Sequence, residues 1–322
     1  MGEHDHIFKR AFRIPEHAAG EFLAVLPREL AALLDPASLA LVETDHVSRK
    51  LQERFSDALF SARFRDVPGF IWLLLEHQSE PDHWIVLRVL EHLTESWMRI
   101  HELEPTRKTL PPVVCVIVHH GERGWHEPTS LHTLVEGLGE LPELARFIPN
   151  FDILVDDLCT QPDDALKQRQ LPLFPKVVLW ALRDARTIQR FYQRLVTWAT
   201  ELERLARESP EDFGTLMRYI WEAAGDEPFE TIQRKIIEVA PTTEQAMASP
   251  AQQLINRGRD EGKLEGKTEG KAEAVLAFLE ERGITLRAEE RARILQCKNI
   301  DELNRWVRKA AKVNSVAELF TT

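Results

Sequence analysis

The sequence of 322 residues has few cysteines, no long apolar run and no excess of basic charge. Its three cysteines, Cys115, Cys159 and Cys297, lie far apart and form no CxxC pair. This pattern argues against a disulfide framework or a structural zinc site, and it fits a reducing compartment. The formal net charge of −11 argues against a protein that coats nucleic acid through many phosphate contacts. A chain with this charge can still bind DNA through one local basic face.

No targeting or membrane signal stands out in the chain. The first ten residues, MGEHDHIFKR, contain no apolar signal core, and His6 stands where a myristoylation signal has Ser or Thr. No apolar run approaches the roughly 18 residues of a membrane span. We therefore expect a cytoplasmic protein without membrane association. Apolar residues make up 43% of the chain, which is enough for a sizeable core.

The hydrophobic pattern changes its period within the first 80 residues. Helical spacing predicts helices over His4–Arg13 and Glu16–Leu34, with a kink or break at Pro27. The apolar run in Gly69–Gln78 is typical of a strand that is buried on both faces, and Asp66–Gly69 supplies the turn before it.

Five short segments are candidate strands, and a long amphipathic helix interrupts them. The strands are predicted at Leu39–Glu43, Phe55–Phe64, Gly69–Gln78, Val113–Val118 and Phe151–Val155, and the helix at Asp82–Leu103. As far as the fourth strand, the order is helix, strand, strand, strand, helix, strand. That order predicts an α/β or α+β fold with a mixed sheet.

The second half of the chain is predicted to be helical. Lys176–Leu182 and Asp184–Arg207 are helical segments that one continuous helix would also explain. The predicted organisation has four parts: a core over residues 1–160, a helical extension packed on it over 161–256, a Gly/Glu/Lys repeat over 257–273, and a small helical module over 274–322. This last module is locally basic, which fits either a solubilising surface or a face that contacts phosphates.

The repeat Gly258–Glu273 has a glycine at every fourth position, with Glu and Lys at the same spacing. In a helix these two charges occupy opposite faces, and the glycines form a smooth stripe. Two alternatives remain open. The segment is either a solvated linker helix or hinge, or a self-association helix through which the chain forms a homo-oligomer.

Polar residues at the end of the clearest strand suggest chemistry. Glu76 and Gln78 project to one face of that strand, because strand side chains alternate. Asp57 lies on the preceding strand among apolar residues, where a carboxylate needs a cation or hydrogen bonds. Two carboxylates and a nearby amide suit Mg²⁺. The alternative is that Asp57 caps a turn or pairs with Arg54 or Arg63.

Several motifs in the chain, taken together, resemble the recombination-promoting nuclease family, also called YhgA-like transposases. The resemblance runs from His4 to about Glu273. The motifs are His4-Asp5-x-x-Phe8-Lys9, Ser56-Asp57-Ala58-Leu59-Phe60, Leu75-Glu76-His77-Gln78-Ser79 followed by Arg88, His119-His120-Gly121 followed by Trp125, Val155-Asp156, and the glycine–glutamate repeat.

The resemblance implies a restriction-endonuclease-like core of the PD-(D/E)XK nuclease superfamily, whose order is αβββαβ. It also implies a divalent-metal-dependent DNA endonuclease linked to recombination, to transposon-like ancestry and, in some members, to phage defence. Asp57 matches the family's aspartate, and Glu76 and Gln78 match its Glu-x-Gln. Asp5 is a further acidic candidate for the metal site.

One position departs from the wider superfamily. Gln78 stands where most members have lysine, and glutamine orients water without supplying positive charge. Lys9 and Arg88 are candidates to replace that charge. Alternatively, Arg88 forms an ion pair with Asp82 or Glu91.

The residues at the ends of the later strands also have two interpretations. His119 and His120 either join the metal site or are structural, and Asp156 and Asp157 either reach the cleft or serve in capping and salt bridges. The preferred function is Mg²⁺-dependent cleavage of double-stranded DNA. One rival is a DNA-binding or complex-forming protein that has lost catalysis, and the other is a regulatory protein whose C-terminal module inhibits or assembles the core.

Overall fold

A computed structural model describes most of the chain and divides it into two compact units, Met1–Pro250 and Ala251–Thr322. For residues 3, 72–76, 300 and 317 the description covers the backbone alone. The described residues are 3–42, 58–76, 82–121, 123–248, 268, 270–281, 283–284, 286–297, 299–310, 313 and 316–320.

The first unit contains a five-stranded mixed sheet. Its strands are β1 (Leu34–Leu41), β2 (Ala58–Phe64), β3 (Val67–Glu76), β4 (Val113–His119) and β5 (Leu154–Asp157). Their spatial order follows the chain: β1, β2 and β3 pair antiparallel, and β3, β4 and β5 pair parallel. The predicted α/β class with a mixed sheet is therefore confirmed.

Ten helices of the first unit are labelled here. They are α1 (Glu3–Phe12), α2 (Pro15–Val25), α3 (Arg28–Ala31), α4 (Ile85–Leu103), α5 (Asp163–Gln168), α6 (Leu173–Asp184), α7 (Ile188–Leu195), α8 (Ala199–Glu208), α9 (Pro210–Ala223) and α10 (Phe229–Val239). The predicted break at Pro27 is confirmed, because it separates α2 from α3. The prediction of one continuous helix after Asp184 is wrong, since α7 and α8 are distinct and a 3-10 turn at Val196–Trp198 lies between them.

The apolar runs are buried because helices cover both faces of the sheet. On one face, α4 packs through Val86 and Val89 against Cys115 and Ile117 of β4. On the other face, Phe22 of α2 meets Phe60 of β2, with ring centroids 5.7 Å apart. Because helices cover both faces of the sheet, its strands show no alternation of apolar and polar residues.

The turn between β2 and β3 lies earlier than predicted. Phe64 pairs with Val67, so Arg65 and Asp66 form a two-residue turn, with Arg65 at a φ of 54°. Gly69 belongs to the strand instead. A Cβ there would lie 3.0 Å from the carbonyl oxygen of Pro112, so glycine permits the close approach of the β4 entry.

Two predicted strands also shift. The first begins at Leu34 rather than Leu39 and contains Pro36, which an edge strand tolerates. The last is Leu154–Asp157 instead of Phe151–Val155. Between β4 and β5 the chain forms short 3-10 turns at Leu131–Leu134 and Pro142–Phe147.

The second unit is helical over the residues described. Residues 270–281, Ala288–Leu295, Ile300–Ala310 and Val316–Phe320 are helices. Trp306 packs edge-on against Phe320 at 5.1 Å, and the Arg293 guanidinium lies 4.2 Å from the same ring. Most of the Gly258–Glu273 repeat lies outside the described residues. Across the described part of the chain, no helix is both long and apolar enough to span a membrane.

Candidate functional site

The carboxyl ends of three parallel strands bring polar residues into one row. Glu76 of β3 is in register with His119 of β4, and His119 is in register with Asp157 of β5. Apolar residues precede each of them, so the strands carry the polar positions to the margin of a buried sheet. Cys159 follows two residues after Asp157, in the 3-10 turn Leu158–Thr160.

His119 is fully buried, with 0% of its surface exposed. Its Nε2 lies 2.9 Å from the carbonyl oxygen of Arg123, and its ring meets Trp125 edge-on at 5.3 Å. Because a carbonyl oxygen only accepts hydrogen bonds, Nε2 must carry the proton in this contact. In the neutral imidazole, Nδ1 then keeps its lone pair. This atom is buried and has no hydrogen-bond partner among the described residues.

Asp157 organises the loop beside His119. Its Oδ2 accepts a hydrogen bond from the Trp125 amide at 3.0 Å, and its Oδ1 accepts one from the Cys159 amide at 3.3 Å. The Cys159 thiol donates to the carbonyl oxygen of Gly121 at 2.6 Å. Burial, together with the charge of the neighbouring Asp157 carboxylate, raises the pKa of this thiol from its usual 9.0 to about 12.

Asp156 faces the opposite side of the sheet, where a buried ion cluster forms. Arg169 donates to both oxygens of Asp156 at 2.7 Å and to Glu21 of α2 at 2.8 and 2.9 Å. All three side chains are at most 7% exposed. Burial raises the pKa of Glu21 well above its usual 4.5, and Asp156 raises it further, while Arg169 opposes both. We call Glu21, Asp156 and Arg169 the arginine clamp.

The predicted catalytic residues are described to different extents. Asp57 and Gln78 lie outside the described residues. Glu76 is described by its backbone, as the last residue of β3. Arg88 of α4 donates a hydrogen bond to Asp82, which also accepts one from the Trp84 amide at 2.9 Å. Burial raises the pKa of Asp82, but these two hydrogen bonds lower it more, so the pKa of this carboxylate is below its usual value.

Asp5 and Lys9 lie on α1, which packs against α6 and α9. Next to Asp5, the His4 ring hydrogen bonds through Nδ1 to the Tyr219 hydroxyl at 2.8 Å and lies 4.9 Å from the ring of His120. His120 directly follows the His119 that is in register with Glu76. The start of α1 therefore approaches the same margin of the sheet as the polar row.

Sequence reasoning missed part of this site. The sequence shows Cys159 only as an isolated cysteine, and it does not single out Glu21 or Arg169. Glu21 and Arg169 are 148 positions apart, so local spacing carries no signal for their pairing. For Cys159, the signal available was its position two residues after Asp157, at the end of a predicted strand.

Comparison with known families decides the chain's ancestry. The model of the family described as "Putative transposase, YhgA-like" matches residues 2–210. The chain belongs to this family. The match covers α1, the whole sheet and the helices through α8. No solved structure matches the chain.

Curated relatives of this YhgA-like chain carry nuclease names. The chain is 27% identical over 279 residues, 86% of its length and 90% of the relative's, to "Inactive recombination-promoting nuclease-like protein RpnE" of Escherichia coli (strain K12). It is 27% identical to "Recombination-promoting nuclease RpnD" of Escherichia coli O157:H7, covering 79% of this chain and 94% of the relative. It is 28% identical to "Recombination-promoting nuclease RpnA" of strain K12, covering 79% and 84%. Two of these three relatives are therefore named as nucleases and one is named as inactive.

Proposed function

We propose that this YhgA-like protein is a divalent-metal-dependent endonuclease that hydrolyses phosphodiester bonds in double-stranded DNA in the cytoplasm. The helix–β1–β2–β3–α4–β4 order supports a PD-(D/E)XK core, because it matches the αβββαβ order of that superfamily. The names of several relatives support the same reaction class.

The observation that carries the proposal is the register of β2, β3 and β4. Ala58, the first described residue of β2, pairs with Leu73 of β3, three residues before Glu76. Asp57 directly precedes Ala58 in the sequence, and this register supports assigning Asp57 to the same site as Glu76. Gln78 follows two residues later.

The donor set at this strand end fits a hard cation. Asp57 and Glu76 offer carboxylate oxygens, Asp5 is a further candidate, and Mg²⁺ prefers such oxygen ligands together with water and phosphate. When bound, Mg²⁺ supplies Lewis-acid polarisation of the phosphoryl group and makes a water molecule more acidic. Asp57 and Glu76 would hold the ion, and the Gln78 amide oxygen would orient the attacking water by accepting a hydrogen bond.

Positive charge beside the scissile phosphate must come from a residue other than Gln78. Arg88 is one candidate, and the structure shows the cost of its use: the guanidinium already binds Asp82 at the start of α4. A phosphate would compete with that carboxylate for the same donors. Lys9 on α1 is the second candidate, since the start of that helix approaches the sheet margin through His4 and His120.

The test is nicking of supercoiled plasmid by the purified full chain with and without Mg²⁺. We expect the wild type to nick, and Asp57→Ala and Glu76→Ala to lose at least about 100-fold in rate, because even second-shell partners of a metal contribute about 10–100-fold. Asp66→Ala is the matched control, since this exposed aspartate lies in the neighbouring turn. Circular dichroism verifies that each variant folds.

One observation favours a second function. The relative named inactive is as similar to this chain, at 27% identity, as the relatives named as nucleases. A DNA-binding or interaction protein without catalysis is therefore the alternative. A DNA mobility shift without nicking under any divalent metal supports the alternative and rejects the enzyme. Nicking that survives in Asp57→Ala rejects the assigned site.

A further inference from the structure

We propose that His119, Asp157 and Cys159 bind a transition-metal ion of the Zn²⁺ class, at a site separate from the proposed Mg²⁺ ligands. One imidazole nitrogen, one carboxylate oxygen and the thiol sulfur lie within 4.8 Å of one another. The three residues come from β4, from β5 and from the turn after β5. This site does not depend on the nuclease proposal, because none of its ligands is a proposed catalytic residue.

His119 gives the first argument. Its Nε2–H donates to the Arg123 carbonyl, which fixes the tautomer that leaves a lone pair on Nδ1. Metal-binding histidines usually show this arrangement, with the second ring nitrogen donating to a backbone carbonyl or a carboxylate. The Nδ1 atom is buried without a hydrogen-bond partner among the described residues. A buried acceptor without a donor is destabilising, and a metal ion would relieve that cost.

Asp157 gives the second argument, because its carboxylate is already oriented. Each oxygen accepts one backbone amide hydrogen bond, from Trp125 or Cys159. A carboxylate oxygen has two lone-pair positions, so each oxygen keeps one position for a metal. The two amides hold the carboxylate beside the thiol without neutralising its charge.

Cys159 completes the ligand set by losing a proton. In the metal-free form the thiol donates to the Gly121 carbonyl. Metal binding replaces the S–H bond with a metal–sulfur bond and releases the proton to solvent, so no redox partner is needed.

The ligand set and the spacing select the metal. Nitrogen, sulfur and oxygen ligands together suit Zn²⁺ or Co²⁺, whereas Mg²⁺ avoids sulfur. Tetrahedral bonds of about 2.0–2.3 Å place ligand atoms roughly 3.5 Å apart. Since the present separations lie within 4.8 Å, modest side-chain rotations bring the atoms to that spacing. Water would fill the fourth position.

The experiment measures metal bound to the full chain after chelator treatment, incubation with Zn²⁺ and extensive dialysis. We expect one tightly bound equivalent in the wild type and at least about a 100-fold weaker affinity in Cys159→Ser and His119→Gln, because ligand loss should exceed the 10–100-fold of second-shell changes. Cys297→Ser is the matched control, since this cysteine lies in the second unit, and it should bind zinc like the wild type. Asp57→Ala should also retain zinc.

A second measurement does not depend on variants that fold. Wild-type protein loaded with Co²⁺ should show a thiolate-to-cobalt charge-transfer absorption that Zn²⁺ displaces and Mg²⁺ does not. Absence of bound zinc, equal zinc binding by Cys159→Ser, or a cobalt spectrum without a thiolate band overturns the site. None of these results bears on nuclease activity, so failure of this site and failure of the proposed function are distinguishable.

Discussion

Adjacent residues at the end of β5 meet opposite environments on the two faces of the sheet. Asp156 lies in the arginine clamp, where Arg169 satisfies two buried carboxylates with four hydrogen bonds. Asp157, on the face covered by α4, accepts two backbone amide hydrogen bonds from described residues and lies beside a histidine and a thiol. The difference shows that two unlike clusters lie at one sheet margin. In the arginine clamp, which we call the closed face, the charges are paired with one another. In the cluster of His119, Asp157 and Cys159, which we call the open face, nitrogen and oxygen lone pairs remain available to a metal ion.

The strongest test of the closed face removes its cation. Arg169→Met leaves Glu21 and Asp156 buried without a counter-charge, so we expect the free energy of unfolding to fall by about 3–5 kcal/mol. Urea denaturation measures the change. Restoring neutrality in Arg169→Met/Glu21→Gln/Asp156→Asn should recover part of the loss.

The matched control for Arg169 is an arginine that pairs with two carboxylates at the surface. Arg10 binds Glu211 and Asp212 at 2.9 and 2.8 Å, but its side chain is 36% exposed. Arg10→Met should change the free energy of unfolding by about 0–1 kcal/mol. Equal losses at Arg169 and Arg10 would show that burial does not distinguish the two clusters.

The thiol of the open face provides the next test. With a pKa near 12 instead of 9.0, native metal-free Cys159 holds about a thousandfold less thiolate at pH 8 than an ordinary cysteine. The higher nucleophilicity of a high-pKa thiolate offsets part of this difference, so alkylation of Cys159 by iodoacetamide should be more than about tenfold slower in the native than in the urea-unfolded chain, as followed by peptide mass spectrometry. A native rate within tenfold of the unfolded rate contradicts the described environment.

A smaller part of the arginine clamp's contribution to the free energy of unfolding should depend on pH, through the titration of Glu21. Because the folded-state pKa lies above the usual 4.5, the native state holds a proton that the unfolded chain releases as the pH rises. This contribution to stability is therefore complete below about pH 4.5 and is lost as the pH rises through the folded-state pKa. Glu21→Gln cannot titrate, so its stability relative to wild type should increase with pH. Parallel pH profiles for the two proteins would contradict this assignment.

The sequence predicted the parts of the fold that depend on local patterns. The unbroken apolar runs of β3 and β4 indicated strands with two buried faces, and Pro27 marked a helix break, because period and backbone chemistry act within a few residues. The turn before β3 was misplaced because Pro68-Gly69 is a common turn signal. In the structure, Gly69 serves the close approach of Pro112 instead.

The candidate sites were predicted less completely, because they depend on register and on distant pairing. Glu76 was identified at a strand end, but its alignment with His119 follows from the parallel pairing of strands that α4 separates in the chain. Cys159 and Gly121, which share a hydrogen bond, are 38 positions apart. Alternation along β5 does predict that Asp156 and Asp157 face opposite sides, although it does not reveal which side holds an arginine.

The smallest effect concerns the backbone amides that Asp157 accepts. Asp157→Asn keeps one acceptor oxygen and turns an NH₂ group toward the other amide, Trp125 or Cys159, so one charge-assisted bond is lost and two donors meet. We expect a loss of about 1–2 kcal/mol in chelator-treated protein, measured by urea denaturation. Asp152→Asn, at an exposed position of the same segment, should remain within about 0.5 kcal/mol of wild type. If zinc binds as proposed, added Zn²⁺ should stabilise the wild type more than Asp157→Asn, because the amide oxygen is a weaker ligand than the carboxylate. The difference in the free energy of unfolding between these two proteins should therefore grow, whereas the difference between Asp152→Asn and wild type should stay the same.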